Sequence, residues 1–410
     1  MRDLIFFTRL RLFQGILTCL GIIAISRKAY AEIRNGSLQS EIQSVASPKD
    51  RILWNLRPGV AGRWEPGLPW SSELSLGLEG RVRYDTQSEF VASQTKWDTR
   101  LDRASLQWQG SSAGVVVGWQ KYTWGDSAFF DGVDVINPRD LTEPLYTDDE
   151  LLKIAIPSVN FNDLANNTVF QVVVVGKPER TPVREEINGV PFETPAARKW
   201  FSQMEIALKA GGLLKSGWDI NGYIASHYER IPQAVLIPSE KGVMLRLVEP
   251  RVFTLGLTAT QSVADVVLRA EIATHLNRAL PDIPSRVERY SDQLMAHATA
   301  DFTLLSDLVL TGELWAEHWS SADTATFKNT SLLLGGRAQK PFWSGRVQPS
   351  AALLFAPDGM ESWFTASVQV SAFEGWQFNL EAYWAQTSTG RVLARRQLKD
   401  LLRSALKYQF

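Results

Sequence analysis

The feature that most constrains this chain is a regular alternation of apolar and polar residues over stretches of about 10 to 13 residues. In residues 376–384, Trp, Phe, Leu, Ala and Trp occupy every second position, and Gln, Asn, Glu and Tyr lie between them. The pattern recurs in residues 73–85, 265–274 and 293–304. Because successive side chains of a strand point to opposite faces, the alternation predicts long β-strands with one apolar face each.

The length of these strands favours a membrane over a soluble β-sandwich, which also alternates. A typical soluble strand has about 5 or 6 residues, whereas a tilted membrane strand needs about 9 to 11. Trp376 and Trp384 lie near the two ends of one apolar face. They are separated by roughly 26 Å along the strand, or roughly 20 Å in height after tilting, close to the spacing of two interfacial aromatic girdles.

The backbone of a membrane-spanning chain narrows the choice further. No stretch beyond the N-terminal region is apolar for the roughly 18 residues that a transmembrane helix requires. In lipid, only helices and closed barrels satisfy every backbone polar group. The sequence therefore predicts an all-β fold, a transmembrane antiparallel β-barrel.

Three regions divide the chain in this interpretation. Residues 1–31 have the basic start, short apolar run and small-residue ending of a secretory signal peptide, and they contain Cys19, the only cysteine. Residues 32–72 form an N-terminal leader of unclear role. Residues 73–410 form the outer-membrane barrel, since short and long gaps between strands alternate as in such barrels.

The gaps also give a strand count. Tight turns are predicted at Glu374-Gly375, Ser306-Asp307, Gln261-Ser262 and Gly110–Ser112, and long connections lie between them. With an additional strand at residues 151–159, the count is 16. It falls to 14 if that segment stays in the lumen, and rises to 18 if residues 52–72 add a hairpin.

Residues 124–141, WGDSAFFDGVDVINPRDL, belong to a long connection that is predicted to fold into the lumen and narrow it. Its apolar residues need burial, and the barrel wall is the only surface near enough. Its charges are expected to stay beside lumen water, with Arg139 pairing to Asp134 or Asp140. The candidate constriction residues are Trp124, Gly125, Asp126, Asp131, Asp134, Asn137, Pro138, Arg139 and Asp140.

The same region carries a resemblance to a known family. The pattern G-x-Q-x-x-x-W-G followed by D-x-x-N-P-x-D, between Gly118 and Pro157, resembles an uncharacterised porin-like family of bacterial outer-membrane proteins, distantly akin to alginate-export porins. The chain departs from it in being shorter and in having Asp126 where Glu is also common. The resemblance implies passage of apolar or polymeric compounds, with an export partner in the envelope, and it implies no catalytic chemistry.

Other chemistries find little support. A net charge of -1 gives no electrostatic case for a nucleic-acid partner. The spacing of Asp131 and Asp134 does not fit a calcium loop, and the four histidines show no metal-ligand spacing, so neither a metal nor a cofactor is expected. Ser226 and His227 are adjacent and point to opposite faces, so they do not form a nucleophile–base pair, and no enzyme is expected.

The function predicted from the sequence is a porin-like outer-membrane channel for small or apolar compounds, with residues 124–141 narrowing the lumen. The alternative is a non-conducting outer-membrane protein, namely a receptor, an export-assembly component or a barrel enzyme. The expected partners are outer-membrane lipid, an unknown small-molecule or polymer substrate, and the barrel assembly machinery of a Gram-negative bacterium. That machinery would read Phe410, the terminal aromatic of an amphipathic strand.

Replacing Phe410 by Ser should reduce assembly into the outer membrane and leave secretion across the inner membrane intact, because only the terminal aromatic is lost. Cell fractionation and immunoblotting measure both steps. A Gln409→Ser variant is the control for a change next to the terminus. Normal outer-membrane levels of the Phe410→Ser protein would contradict the prediction.

Overall fold

The structure is a computed structural model, and it describes most of the chain after residue 35. The described residues are 36–46, 52–64, 67–68, 71–84, 97–125, 132–140, 152–165, 167–181, 186–187, 190–193, 199–230, 232–239, 242–280, 288–304, 307–320, 329–358, 360–386 and 401–409. The predicted signal peptide, Asp126, Asp131 and Phe410 lie outside them. Within the described residues, no helix is long and apolar enough to cross a membrane.

The described chain folds almost entirely into strands. Their bounds are β1 Gly36–Ala46, β2 Ile52–Trp64, β3 Gly67–Leu68, β4 Ser71–Tyr84, β5 Trp97–Gln109, β6 Ala113–Gln120, β7 Ile156–Ala165, β8 Thr168–Val175, β9 Glu186–Ile187, β10 Val190–Pro191, β11 Glu205–Leu213, β12 Trp218–Tyr228, β13 Gln233–Ser239, β14 Gly242–Val248, β15 Arg251–Val263, β16 Val266–Ala279, β17 Tyr290–Leu304, β18 Leu308–Trp319, β19 Thr330–Gln339, β20 Val347–Ala356, β21 Glu361–Phe373, β22 Trp376–Gln386 and β23 Leu401–Gln409.

One antiparallel sheet of 19 strands contains nearly all of them. Setting aside the two-residue β3 leaves about 18 long strands, each paired with its neighbours along the chain. The last strand also pairs with the first, with Tyr408 opposite Leu38, so the order of pairings returns to its start. The predicted barrel architecture is thus confirmed, with the higher of the predicted alternatives for the number of strands.

The preferred count of 16 is too low because β1 and β2 lie inside residues 32–72, which the sequence analysis left as a leader. Their alternation is weak: β1 is rich in Ser and Gln, and β2 contains Pro58 next to Gly59. Both strands nevertheless pair over their full lengths, so the described part of the barrel begins at Gly36.

Two smaller expectations also shift. The strand predicted at residues 151–159 begins at Ile156 and runs to Ala165. The turn predicted at Gln261-Ser262 lies at Ala264 and Asp265, because β15 continues to Val263 and Ala264 adopts a φ of 50°. The tight turns at Glu374-Gly375 and at residues 110–112 lie where they were predicted.

The two faces of the sheet have opposite character. Large apolar side chains are exposed on the outer face, among them Leu268, Ile272 and Leu294, whereas their strand neighbours Glu271 and Gln293 are buried on the inner face. This is the inverse of a soluble protein and suits a surface covered by lipid. At the two ends of β22, ring pairs Trp376–Tyr408 and Phe364–Trp384 have centroids 4.8 and 5.4 Å apart.

The connections also differ between the two ends of the sheet. The end that holds residues 110–112, 264–265 and 374–375 has short turns. The other end has long connections, two of which contain hairpins of their own, β9–β10 and β13–β14. A backbone bond from Glu193 N to Leu245 O, 2.6 Å long, joins these hairpins. In membrane barrels of this kind the long connections are external, and the segment between β6 and β7 is one of them.

Leu380→Arg should destabilise the folded barrel by about 2–4 kcal/mol, because Leu380 lies on the outer face between Trp376 and Trp384. Ser367→Arg is the matched control. Ser367 lies on the inner face, opposite Glu381 and one position from the Val368 that pairs with Leu380, so an arginine there gains an acidic neighbour. Denaturant unfolding in bilayers measures both variants, and equal effects would show that the two faces are assigned wrongly.

Candidate constriction site

Residues 132–140, called here the inner segment, lie against the inner wall of the sheet. Val133 and Ile136 are fully buried within one apolar cluster. The wall contributes to this cluster from five strands, β7, β8, β11, β12 and β16, through Ile156, Val173, Val175, Ala207, Tyr223, Ala225 and Ala273. Burial of apolar side chains against the wall therefore holds the segment inside, as its composition predicted.

Trp124 fixes the chain before the segment. Its indole ring is buried and lies 5.4 Å from the ring of Tyr223, and its Nε1 donates to Gln171 Oε1 at 2.9 Å. Gly125 follows with a φ of 87°, a backbone conformation that favours glycine. Nearby, burial raises the pKa of the Tyr122 phenol, although its hydrogen bond to Ser158 opposes the shift. Tyr122 is therefore neutral at physiological pH.

A short antiparallel contact supports the far end of the segment. Arg139 and Lys153 form a β-bridge, with backbone bonds from Asp140 N to Leu152 O and from Ile154 N to Pro138 O, both 2.9 Å long. Pro138 contributes only its carbonyl, so its missing N–H costs nothing here. Residues 152–155 thus form a backing to the segment rather than the start of the strand that was predicted there.

Asn137 ties three parts of the chain together through their backbones. Its Nδ2 donates to Gln120 O at 3.2 Å and to Ile154 O at 2.7 Å, and its Oδ1 accepts from Tyr122 N at 2.6 Å. The side-chain amide therefore satisfies three backbone groups, one on the last residue of β6 and two on residues between β6 and β7. This explains physically why an Asn precedes the proline.

The charges of the segment are more deeply buried than predicted. Asp134 Oδ2 lies 2.9 Å from both Arg139 Nη2 and Lys153 Nζ, and the side chains of Asp134 and Lys153 are each only 1% exposed. Asp140 is buried and paired with Arg100 of β5. Of these groups, Arg139 keeps the largest exposure, 26%. The expectation that the aspartates stay beside lumen water is wrong, because each gains cationic partners that offset the cost of burial.

Two wall residues that the sequence analysis did not identify hold the segment from behind. Glu271 of β16 accepts hydrogen bonds from Gly132 N and Val133 N, the second 3.1 Å long. Arg230, just after β12, donates Nε to Val135 O at 3.0 Å and Nη2 to Ile136 O. Both residues are distant in sequence from the inner segment. Only the alternation, which places Glu271 on the inner face, could have suggested that Glu271 contacts the segment.

The remaining inner wall is lined by polar networks. Arg403 of β23 and Glu381 of β22 form an ion pair at 2.9 Å on the inner face. On the same face, His227 and His275 both form hydrogen bonds with Thr254, and His297 lies 3.1 Å from Glu313. Across the described residues, no group of three His, Cys, Asp or Glu side chains is arranged to hold a metal ion.

Comparison with known proteins identifies the fold. No protein-family model and no curated protein sequence matches this chain. Solved structures do match over 92% of it: OccAB1 of Acinetobacter baumannii (TM-score 0.57, 9% identity, 96% of that chain), OccK8 (OprE) of Pseudomonas aeruginosa (0.57, 9%, 97%) and OccK2 (OpdF) of Pseudomonas aeruginosa in complex with glucuronate (0.56, 10%, 97%). At this identity the likeness shows a fold shared with outer-membrane porin barrels.

Lys153→Met should loosen the inner segment, because it removes the more buried of the two cations paired with Asp134; the cost stays below the about 3–5 kcal/mol of a buried charge left with no partner, since Arg139 remains. Amide hydrogen exchange in residues 132–140 should accelerate by up to about 100-fold if opening is local. Arg139→Met is the control: it removes the more exposed partner of the same carboxylate, so a smaller acceleration is expected. Equal exchange in both variants would contradict the unequal roles given to the two cations.

Proposed function

We propose that this chain is an outer-membrane channel for small compounds and that the inner segment sets the narrowest part of its lumen. The observation that carries the proposal is the burial of Val133 and Ile136 against the inner wall of a membrane-type barrel. A segment in this position occupies cross-section that would otherwise be open to solutes. The outer apolar face and the predicted signal peptide support a location in the outer membrane.

The character of the wall favours polar solutes over apolar ones. The inner face carries partly exposed polar groups, among them Arg269 and Asp301 with side chains 26% and 22% exposed, so a solute moving along the wall meets hydrogen-bonding groups. Such groups can replace part of the water around a polar solute, whereas an apolar solute gains nothing from them. One of the matching porins was solved with glucuronate, a small polar anion. Small polar compounds are therefore the preferred substrate class, ahead of the apolar or polymeric compounds that the resemblance implied.

We also propose that the chain is distantly akin to alginate-export porins. This proposal rests on the motif that contains Trp124, Gly125, Asp134, Asn137, Pro138 and Asp140. The motif residues have clear local roles here, since Asn137 joins backbone groups and Asp134 pairs two cations. Those roles support a motif that shapes a constriction. Recruitment to an export partner and recognition of Phe410 by the assembly machinery are likewise proposals.

Replacing residues 132–140 by a Gly/Ser sequence of equal length should raise single-channel conductance in planar bilayers and admit larger neutral sugars in liposome swelling. The chain length is kept, and the apolar and charged contacts with the wall are lost. The control is Trp343→Gly, in an exposed turn at the opposite end of the sheet, which should change neither measurement.

Two outcomes would count against the proposal in different ways. A parent protein that is folded in the bilayer and does not conduct would favour the non-conducting alternative. A parent that conducts, together with a replaced segment that leaves conductance and solute size limit unchanged, would show that the constriction lies elsewhere.

A further inference from the structure

The contacts between the wall and the inner segment follow a particular chemistry: over residues 132–136, charged side chains of the wall bind the backbone of the segment. Glu271 takes the two amide N–H groups of Gly132 and Val133. Arg230 takes the carbonyls of Val135 and Ile136. A carboxylate therefore meets donors and a guanidinium meets acceptors, so all four contacts are charge-assisted hydrogen bonds, which are stronger than neutral ones.

Arg230 is itself held in place. Its Nη2 also donates to Glu205 Oε2 at 2.7 Å, and Glu205 Oε1 accepts from Tyr228 N at 2.7 Å. Glu205 begins β11 and Tyr228 ends β12, so the guanidinium is oriented by the two strands beneath it. Its side chain is only 9% exposed. A buried, oriented guanidinium loses little entropy when it binds the segment.

A notch in the wall lies between the two charged contacts. Gly256 of β15 faces Val133, and a Cβ atom built at Gly256 would clash with Val133 Cγ1. A glycine is therefore required there for the valine to seat. The same construction places the new Cβ 3.5 Å from Val133 Cβ, which lies within the Cβ–Cβ range of a disulfide.

We propose that Glu271 and Arg230 are positioning residues that clamp the inner segment and thereby set the width of the channel. The inference rests on the proposed function and deepens it by assigning control of the constriction to wall side chains. Because both groups bind backbone atoms, channel width depends on them more than on most side chains of the segment. Releasing either contact lets the segment leave the wall between its flanking anchors at Asn137 and Trp124.

The test uses Glu271→Gln and Arg230→Lys in the full-length protein. The glutamine loses the charge on the acceptor, and the lysine cannot reach two carbonyls with a planar fork. Both variants should show larger and noisier single-channel currents, approaching those of the variant with residues 132–140 replaced. Glu317→Gln is the matched control, since Glu317 is an equally buried carboxylate on β18 that bonds to Gln293.

A disulfide separates clamping from a general effect on folding. The double change Val133→Cys and Gly256→Cys places the only cysteine pair in the mature chain, since Cys19 lies in the predicted signal peptide. In this background, oxidised Glu271→Gln and Arg230→Lys proteins should conduct like the oxidised parent, and a reductant should restore the larger currents. Wild-type currents in both clamp variants, or larger currents that persist under the disulfide, would overturn the proposal.

The experiments distinguish failure of the clamp proposal from failure of the proposed channel function. A parent protein without conductance refutes the proposed function. A conducting parent whose clamp variants behave like Glu317→Gln refutes only the clamp. Hydrogen exchange at residues 132–136 gives a second readout that needs no current: it should accelerate in both clamp variants and stay unchanged in Glu317→Gln.

Discussion

The constraint on which the structure depends is that no backbone polar group can be left unpaired in lipid. A sheet meets it only if its last strand pairs with its first, as β23 does with β1. This requirement also explains the two weakly patterned strands at the start of the chain. β1 contributes few apolar side chains, yet it bonds to β2 on one side and β23 on the other, and without it both neighbours would have open edges.

The surrounding lipid also reverses the usual polarity of the two faces of the sheet, and this creates a problem inside the barrel. The apolar face is turned to lipid, so the interior offers few apolar surfaces, yet the inner segment carries Val133, Val135 and Ile136. The solution is local: small or apolar inner-face residues on nearby strands, such as Ala207, Ala225 and Ala273, form one apolar patch. The inner segment covers that patch, and ion pairs such as Asp134 with Lys153 lie at its edge.

Sequence patterns predicted those features that depend on neighbours in the chain. Alternation predicted the two faces of residues 265–274, 293–304 and 376–384. The short gap between two predicted strands predicted the tight turn at Glu374-Gly375. The inward path of the inner segment was predicted because its apolar residues need burial and the barrel wall is the only surface near enough. The preferred count of 16 omitted β1 and β2, because Pro58, Gly59 and frequent Ser and Gln obscure their alternation.

What the sequence did not disclose is which distant residues meet. Glu271 lies 139 positions from Gly132, and Arg230 lies 95 positions from Val135, and such pairings depend on register and on how far a segment reaches along the wall. The burial of Asp134 and Asp140 was missed for the same reason. Lys153, just before β7, and Arg100 of β5 pair with these aspartates, and the sequence did not show that these two cations reach them.

Recognition of the backbone makes few demands on the side chains of the inner segment. A wall that binds N–H and C=O groups needs few particular side chains in the segment, since every residue but proline offers both groups. Side-chain identity is then required chiefly where geometry allows one solution: Val133 over Gly256, Asn137 between three backbone groups, and Asp134 between two cations. Elsewhere the segment can vary, and with it the surface that a solute meets, while the clamp keeps its position.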